Sequence, residues 1–372
     1  MSRPVIARMS SEALIDNYNT IRQLAGEAVI MAVVKADGYG HGMVEAATRL
    51  WDAGCDSFAV TDASEGVALR QALQEHARQV EESAGSGEES GRSAAEITLL
   101  SGIFDDEDTA AVVAHRLVPV IHDKEEVARL RRARFNGRLW LKMETGMNRL
   151  GAEQARQLLD RCFRCRWPVA GLLSHLACAD EADHPLNAQQ AERMRSYLNL
   201  MGPGLSGSLL NSAGLITMPQ FAFDVVRPGI ALYGAQPTAE STCNLHPVMS
   251  LEAEIMQIHR VDAGAVISYG GEFVADNPMR VAVVAAGYGD GIPRRASSCG
   301  GVVIHKGKKL PMVGRVCMDY TIIDVSGITA KVGDRVQFWG DMLPVDEVAT
   351  SCETISYELF TGVNARVPRL WS

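Results

Sequence analysis

The sequence lacks the features that would send a protein into a membrane or bind it to a nucleic acid. Its longest uninterrupted apolar run near the start, residues 28–34, is far shorter than the ~20 residues that a membrane-spanning helix needs. The N-terminal segment turns polar too early to supply the apolar region of a secretory signal. With 36 basic and 45 acidic residues the net charge is −9, and no dense basic stripe offers a surface for nucleic acid or anionic lipid. We therefore expect a cytoplasmic protein without nucleic-acid or membrane partners.

Cysteine pairs at metal-ligand spacing are also lacking. Of the eight cysteines only Cys162 and Cys165 are close in sequence, and no second pair completes a zinc site. We expect reduced cysteines and no metal, as is usual in the cytoplasm. A hydrophobic fraction of 47% over 372 residues is enough for large cores without disulfides or metals.

Short apolar segments alternate with helical patterns over the first two thirds of the chain. Eight of them have the length of strands. They are residues 29–34, 57–60, 97–100, 117–121, 139–142, 169–174, 208–211 and 223–227. Eight strand–helix units within about 230 residues are typical of a (β/α)8 barrel, which we place in residues 1–235. A doubly wound sheet is the structural alternative, but it usually has fewer strands.

The pattern changes after residue 235. Strand-like runs separated by glycine-containing turns follow at residues 250–261, 279–286, 301–305, 309–316, 320–325 and 335–339. We assign residues 236–372 to a second, mostly-β domain, so the predicted fold class is an α/β barrel followed by a β domain. Residues 81–96 are rich in Ser, Gly and Glu. We interpret them as a flexible insertion between a helix and a strand, on the barrel face opposite a catalytic site and without a catalytic role.

The stretch VVKADGYGHG, residues 33–42, is the first candidate for chemistry. Lys35 stands at the carboxyl end of the first barrel strand, where barrel enzymes place reactive groups. A lysine leaving a buried strand is partly desolvated, which lowers the pKa of its amine and suits it to Schiff-base formation. On position alone, a lysine whose charged end reaches solvent beside a glycine-rich loop is the simpler interpretation.

The same stretch resembles the cofactor-lysine motif of the alanine racemases, which are fold-type III pyridoxal-phosphate enzymes. Further motifs similar to those of this family follow in family order. They are LWLKMETGMNRLG (139–151), LLSHLA (172–177), LNSAG (210–214), RPGIALYG (227–234), ISYGG (267–271), AAGYGDGIPR (285–294), VGRVCMDY (313–320) and ISYELFTGVNARVPR (355–369). One such motif would be weak support, but the ordered series on a barrel-plus-β architecture is specific. The 81–96 segment departs from the family's spacing and interrupts no motif.

The resemblance implies two opposed catalytic bases. Lys35 would form the internal aldimine with pyridoxal phosphate and act as one base, and Tyr269 would act as the other. Because a free tyrosine has a pKa near ~10, it needs support to act near neutral pH. The family supplies this through His175, which would lie between the tyrosine and Arg227. Without the motifs, a buried core histidine and an ordinary strand tyrosine would be the default interpretations.

The resemblance also implies how the cofactor is held. Arg227 would donate to the pyridine nitrogen, and since an arginine does not give up its proton, that nitrogen would stay unprotonated. The weaker electron sink would keep charge near Cα and suppress transamination. The remaining cofactor-binding residues implied by the resemblance are Tyr39, Ser212, Gly229, Ile230 and Tyr357.

Substrate contacts follow from the same resemblance. Arg149 and the backbone N–H of Met318 would hold the substrate carboxylate. Tyr288 and Asp319 would line the entrance or lie behind the residues that touch substrate. Lys142 is carbamylated in many members, and the resulting anion would position Arg149. An unmodified Lys142 paired with Glu144 or with a bound anion is the alternative.

The resemblance implies an enzyme that interconverts L-alanine and D-alanine, with D-alanine supplied to peptidoglycan. It also implies a head-to-tail homodimer in which each active site takes residues from both subunits. Rival interpretations are a serine or broad-specificity amino-acid racemase, a fold-type III amino-acid decarboxylase, and a non-catalytic pyridoxal-phosphate carrier. The run 314–319 favours a racemase over a decarboxylase, and the second domain argues against the carrier.

Overall fold

A closed barrel and an eight-stranded mixed sheet organise the chain. The computed structural model describes residues 3–84, 94–152, 154–238, 241 and 243–372. In these ranges the strands are β1 (Val5–Met9), β2 (Val29–Val33), β3 (Ser57–Val60), β4 (Glu96–Leu99), β5 (Val118–Ile121), β6 (Leu139–Lys142), β7 (Val169–Leu173), β8 (Ser206–Asn211), β9 (Val225–Arg227), β10 (Met249–Val261), β11 (Val266–Ile267), β12 (Phe273–Val274), β13 (Met279–Val284), β14 (Val302–His305), β15 (Lys308–Pro311), β16 (Thr321–Asp324), β17 (Arg335–Trp339) and β18 (Arg369–Trp371). The helices are α1 (Ser11–Ala25), α2 (Lys35–Tyr39), α3 (Met43–Asp52), α4 (Ala63–Ala84), α5 (Asp106–His115), α6 (Lys124–Arg132), α7 (Ala155–Arg164), α8 (Pro185–Met201), α9 (Ser212–Thr217), α10 (Val345–Ser351) and α11 (Ser356–Gly362).

The predicted barrel is confirmed. Within the described ranges, β2 to β9 close in chain order, each paired in parallel with its neighbours, and β9 pairs back to β2. Strands β3, β5 and β6 are buried at every position, because helices cover the outside and side chains fill the inside. All eight barrel strands overlap the eight predicted apolar segments.

Helix boundaries follow local capping chemistry. The Ser10 side chain accepts a hydrogen bond from the Ala13 N–H at the start of α1, and Gly26 ends that helix at φ 58. Asp123 and Glu126 form a reciprocal capping box at the start of α6. These ends set the short connections that hold each helix against the barrel.

The second predicted region is confirmed as sheet-rich, and four strands outside the barrel were not identified from the sequence: β1, β11, β12 and β18. Strand β1, near the N-terminus, pairs antiparallel with β10 and parallel with β18, so it belongs to this sheet and not to the barrel. The predicted division into residues 1–235 and 236–372 stays a prediction. It places β1 on the barrel side of the boundary, although β1 is hydrogen-bonded within the other sheet.

Two sequence predictions need correction or restriction. The strand expected at 309–316 ends at Pro311, and the chain turns at Gly314, whose φ is 67. A Cβ at Gly314 would lie 2.6 Å from the Ile267 carbonyl oxygen, so this turn requires glycine and a straight strand cannot continue through it. The segment predicted as an insertion from residue 81 begins later, since α4 continues through residue 84. Residues 85–93 lie outside the described residues. No helix in the described ranges is both long and apolar enough to cross a membrane.

The sheet region contacts the mouth of the barrel through α11. Gly40, in the loop after β2, lies so close to this helix that a Cβ there would be 2.1 Å from the Phe360 carbonyl oxygen. The Arg369 side chain donates to the Gly40 carbonyl at 3.1 Å. The second region therefore covers the carboxyl ends of the barrel strands, where a barrel carries its active site.

We expect Met9→Ala to destabilise the chain by about 2–5 kcal/mol, because Met9 is fully buried in β1 and the substitution leaves a cavity. Urea unfolding at fixed protein concentration measures this. The matched control is Arg8→Ala on the same strand, whose exposed ion pair with Glu252 contributes about 1 kcal/mol or less. Equal losses for the two variants would contradict the central packing of β1.

Candidate active site

A cavity of about 830 Å³ opens at the carboxyl ends of the barrel strands, between the barrel mouth and α11. Ten residues singled out from the sequence line it: Lys35, Tyr39, Lys142, Arg149, His175, Ser212, Arg227, Gly229, Ile230 and Tyr357. They come from loops far apart in sequence, and the barrel topology brings them together.

Lys35 leaves β2 into an unusual turn. Ala36, Asp37 and Tyr39 have φ values of 52, 54 and 53, so α2 is a left-handed turn and not a regular helix. The Lys35 side chain is half-buried in the cavity. Burial lowers the pKa of its amine, with the charges of Arg149 and Arg227 acting in the same direction. A larger share of neutral amine makes this lysine a nucleophile and a base.

Arg227 is the most constrained cation of the site. At 3% exposure, it donates to Ser208 Oγ at 2.6 Å and to the carbonyl oxygens of Ser174 (2.5 Å) and Leu209 (3.3 Å). Its Nη2 also lies 3.2 Å from His175 Nδ1. Burial lowers the pKa of Arg227 to about 9, so it remains a cation at neutral pH.

The contact with Arg227 fixes the protonation of His175. A guanidinium can only donate, so His175 Nδ1 accepts, and the proton of the neutral imidazole is on Nε2. Burial lowers the pKa of His175 well below its ordinary value, and the charges of Arg227 and Lys142 add to this. The imidazole is therefore neutral, with its N–H available to a further group.

Lys142 is a buried amine among cations. Burial lowers its pKa to about 7, and the charges that act on it from described residues are those of Arg227, Arg149 and Lys35, all positive. Pairing with Glu144, the alternative raised from the sequence, is wrong, because the Glu144 carboxylate accepts the backbone N–H groups of residues 146 and 148. Much of Lys142 is thus neutral at neutral pH.

Small residues and hydroxyl groups form the wall at the ends of β8 and β9. Ser212 Oγ accepts the N–H groups of Gly229 (2.9 Å) and Ala231 (3.3 Å). A Cβ at Gly229 would lie 2.4 Å from the Tyr39 hydroxyl oxygen, so a side chain there would displace the tyrosine. The rings of Tyr39 and Tyr357 are 5.9 Å apart. Since cations line the same cavity, this wall suits an anionic group such as a phosphate.

The chain is similar to alanine racemases over its whole length. Two family models match it, the alanine racemase N-terminal domain over residues 9–237 and the alanine racemase C-terminal domain over residues 248–371. An alanine racemase of Nitrosococcus oceani is 41% identical, with 98% of this chain and 98% of that protein aligned. The chain belongs to the alanine racemase family.

Solved alanine racemases have the same fold. The crystal structure of the biosynthetic alanine racemase from Pseudomonas aeruginosa, 37% identical, superposes with a TM-score of 0.84 over 100% of this chain and 99% of that one. An alanine racemase from Bartonella henselae, described as carrying covalently bound pyridoxal phosphate, is 30% identical with a TM-score of 0.84 over 99% of both chains. These similarities confirm the predicted family and fold.

Four residues that the alanine racemase motifs implied lie outside the cavity. Tyr269 occupies the turn between β11 and β12 and is 69% exposed, and Met318 is 54% exposed. Tyr288 is also exposed. Asp319 accepts hydrogen bonds from Arg366 (2.9 Å) and Arg3 (3.2 Å). Within one chain, therefore, Lys35 and Tyr269 do not share the cavity.

Two supporting residues of this alanine racemase site were not found from the sequence. Gln190 of α8 is fully buried, and its amide donates to Thr145 Oγ1 (2.9 Å) and to the His175 carbonyl (2.8 Å), tying two active-site loops together. Glu65 of α4 accepts the Ala36 N–H beside Lys35. Each lies in a helical pattern where a polar residue predicts only a solvent-facing position, so no sequence signal distinguished them.

We expect Lys142→Met to stabilise the folded chain more at about pH 6 than at about pH 10. An unfolded lysine titrates near 10.5 and the folded one near 7, so the folded state binds this proton more weakly. The penalty is complete below the folded pKa and fades as the pH rises toward the unfolded pKa. Thermal unfolding midpoints in buffers free of carbon dioxide measure it, and a pH-independent difference would contradict the charged state assigned to Lys142.

Proposed function

We propose that the chain interconverts L-alanine and D-alanine with pyridoxal phosphate held in the cavity. The observation that carries the proposal is the Lys35 amine, whose pKa is lowered by burial, in one cavity with the Arg227–His175 pair and the hydroxyl groups of Tyr39, Ser212 and Tyr357. The donor set fits the cofactor: hydroxyl and backbone N–H groups for its phosphate, a cation for its ring nitrogen and an amine for its aldehyde. When bound, the cofactor delocalises negative charge that develops at the substrate Cα.

The roles of the chain's own residues follow from their positions. Lys35 would bind the cofactor and move a proton at one face of Cα, since its lowered pKa favours the neutral base. Tyr269 would serve the opposite face. Arg149, in the cavity with Lys35, would orient the substrate carboxylate through charge-assisted hydrogen bonds, together with the Met318 N–H. Arg227 would donate to the ring nitrogen while holding His175 as a neutral imidazole.

The exposed position of Tyr269 supports a homodimer with shared sites. Large apolar side chains are exposed around it, including Val266, Met318 and Tyr320. A set of exposed side chains of this kind is typical of an interaction surface. In a two-fold dimer the same patch serves both chains, so Tyr269 and Met318 of each would complete the cavity of the other. A cytoplasmic location and the supply of D-alanine to peptidoglycan belong to this proposal.

We expect Lys35→Ala alone and Tyr269→Phe alone to lose nearly all racemase activity, because each removes one of two bases. Mixing the two variants after reversible dissociation would restore about a quarter of wild-type activity, since half of the dimers would be mixed and each mixed dimer would have one intact site. Circular dichroism of D-alanine formed from L-alanine measures this. The control mixes two samples of Lys35→Ala, and no recovery in the mixed sample would rule out the shared site.

We also propose that Lys142 is carbamylated. The neutral amine nitrogen would attack the carbon of carbon dioxide, forming a C–N bond and releasing one proton, and the anion would offset the neighbouring cations. With 13C-bicarbonate, 13C NMR should show a carbamate resonance in the wild type that Lys142→Ala lacks. Lys124→Ala, at an exposed position, serves as the control and should keep the resonance. A wild-type spectrum without it would leave Lys142 unmodified.

A further inference from the structure

The turn after Lys35 has a backbone conformation that its amino acids do not favour. Three non-glycine residues in the turn after it, Ala36, Asp37 and Tyr39, have φ values of 52, 54 and 53. Left-handed backbone costs an L-residue about 1–2 kcal/mol each, so the turn persists only where its surroundings enforce it. Whatever enforces this turn also fixes the direction in which the Lys35 side chain leaves the strand.

One carboxylate fastens the turn to the neighbouring strand. Glu65 Oε1 accepts the Ala36 N–H at 2.7 Å, and Glu65 Oε2 accepts the Thr61 N–H at 2.7 Å. Ala36 lies in the turn after β2 and Thr61 directly follows β3, so both carboxylate oxygens are used to join the segments that leave two adjacent barrel strands. The accepted Ala36 N–H belongs to the peptide that follows Lys35. Hydrogen bonds to a charged acceptor are about twice as strong as neutral ones, which suits Glu65 to this task.

The same carboxylate acts on the charge balance of the lysine. The titratable groups around the Lys35 amine come from several elements: Lys142 from β6, Arg149 from the loop after it, His175 from the end of β7, Arg227 from β9 and Glu65 from α4. Arg149 and Arg227 lower the pKa of Lys35, and Glu65 raises it. Lys142 is a further cation in the same cavity, and His175 is neutral.

We propose that Glu65 is a positioning residue for Lys35, which fixes the left-handed turn and places a carboxylate beside a lysine that is otherwise surrounded by cations. A base that serves one face of Cα in a reversible reaction must take up a proton in one direction and return it in the other. Without a nearby anion, the cations of the cavity would favour the neutral amine too strongly for the first task. The inference rests on the proposed function of Lys35, and Glu65 itself touches neither cofactor nor substrate.

The test compares Glu65→Gln, which keeps the shape and removes the charge, with Glu65→Asp, which keeps the charge on a shorter side chain. Glu75→Gln, an exposed position on the same helix α4, is the matched control. Competitive acetylation of the full-length chain, freed of cofactor with hydroxylamine and checked for fold by circular dichroism, gives the pKa of Lys35 from peptide mass spectrometry. We expect this pKa to decrease in the order wild type, Glu65→Asp, Glu65→Gln, with Glu75→Gln equal to wild type.

A second measurement adds pyridoxal phosphate and follows the borohydride-reducible adduct on the Lys35 peptide. At a pH above the Lys35 pKa of every variant, where the amine is neutral in all of them, adduct formation should be about tenfold slower in Glu65→Gln, since one amide oxygen cannot accept both the Ala36 and the Thr61 N–H groups and the turn beside the reacting lysine is loosened. A Lys35 pKa unchanged in Glu65→Gln overturns the proposal, and if that variant does not fold, an unchanged pKa in Glu65→Asp does so. A wild-type chain that forms no adduct on Lys35 overturns the proposed function instead, while the acetylation result still decides the role of Glu65.

Discussion

The burial of one guanidinium controls the chemistry of the whole cavity. Arg227 satisfies its charge with a serine hydroxyl and two backbone carbonyls from neighbouring barrel strands, so it is held in place before any ligand arrives. Because its hydrogen-bond partners are neutral, they do not cancel its positive charge, which acts on the ionisable groups nearby. His175, Lys142 and Lys35 all have pKa values below their ordinary values, mainly because each is itself buried, and the charge of Arg227 acts in the same direction on all three.

Burial and positive charge in the cavity together favour the neutral, proton-accepting forms of the amines and the imidazole. Two lysines that would carry a proton in water at neutral pH are driven toward their neutral forms, and His175 is held neutral even at lower pH; a neutral amine or imidazole has a lone pair to offer. The cost is a set of cations that repel one another, which a phosphate, a carboxylate or a carbamate entering the cavity would relieve. Ligand binding and folding stability are therefore linked at this site.

Sequence patterns were sufficient where a signal is local or repeated. The eight apolar segments predicted the barrel, since a strand buried on both faces needs a continuous apolar run. The ordered motifs predicted the ten residues that line the cavity. Strand β1 was missed because its pairing partners, β10 and β18, are distant in sequence and nothing local marks it. Gln190 and Glu65 were missed for a related reason: each acts through backbone groups of loops that only the closed barrel brings within reach.

The pairing of β1 has a consequence for how the protein is made. The strand is synthesised before the whole barrel, yet it pairs with β18, which ends at residue 371. Until β18 has been synthesised, one edge of β1 has no partner, while the barrel encoded between β1 and β10 can already close. An apolar strand with open edges is a site for mispairing with other chains. Completion of the sheet is thus a long-range step that follows barrel formation, and the nascent chain is most vulnerable to aggregation until β18 is available.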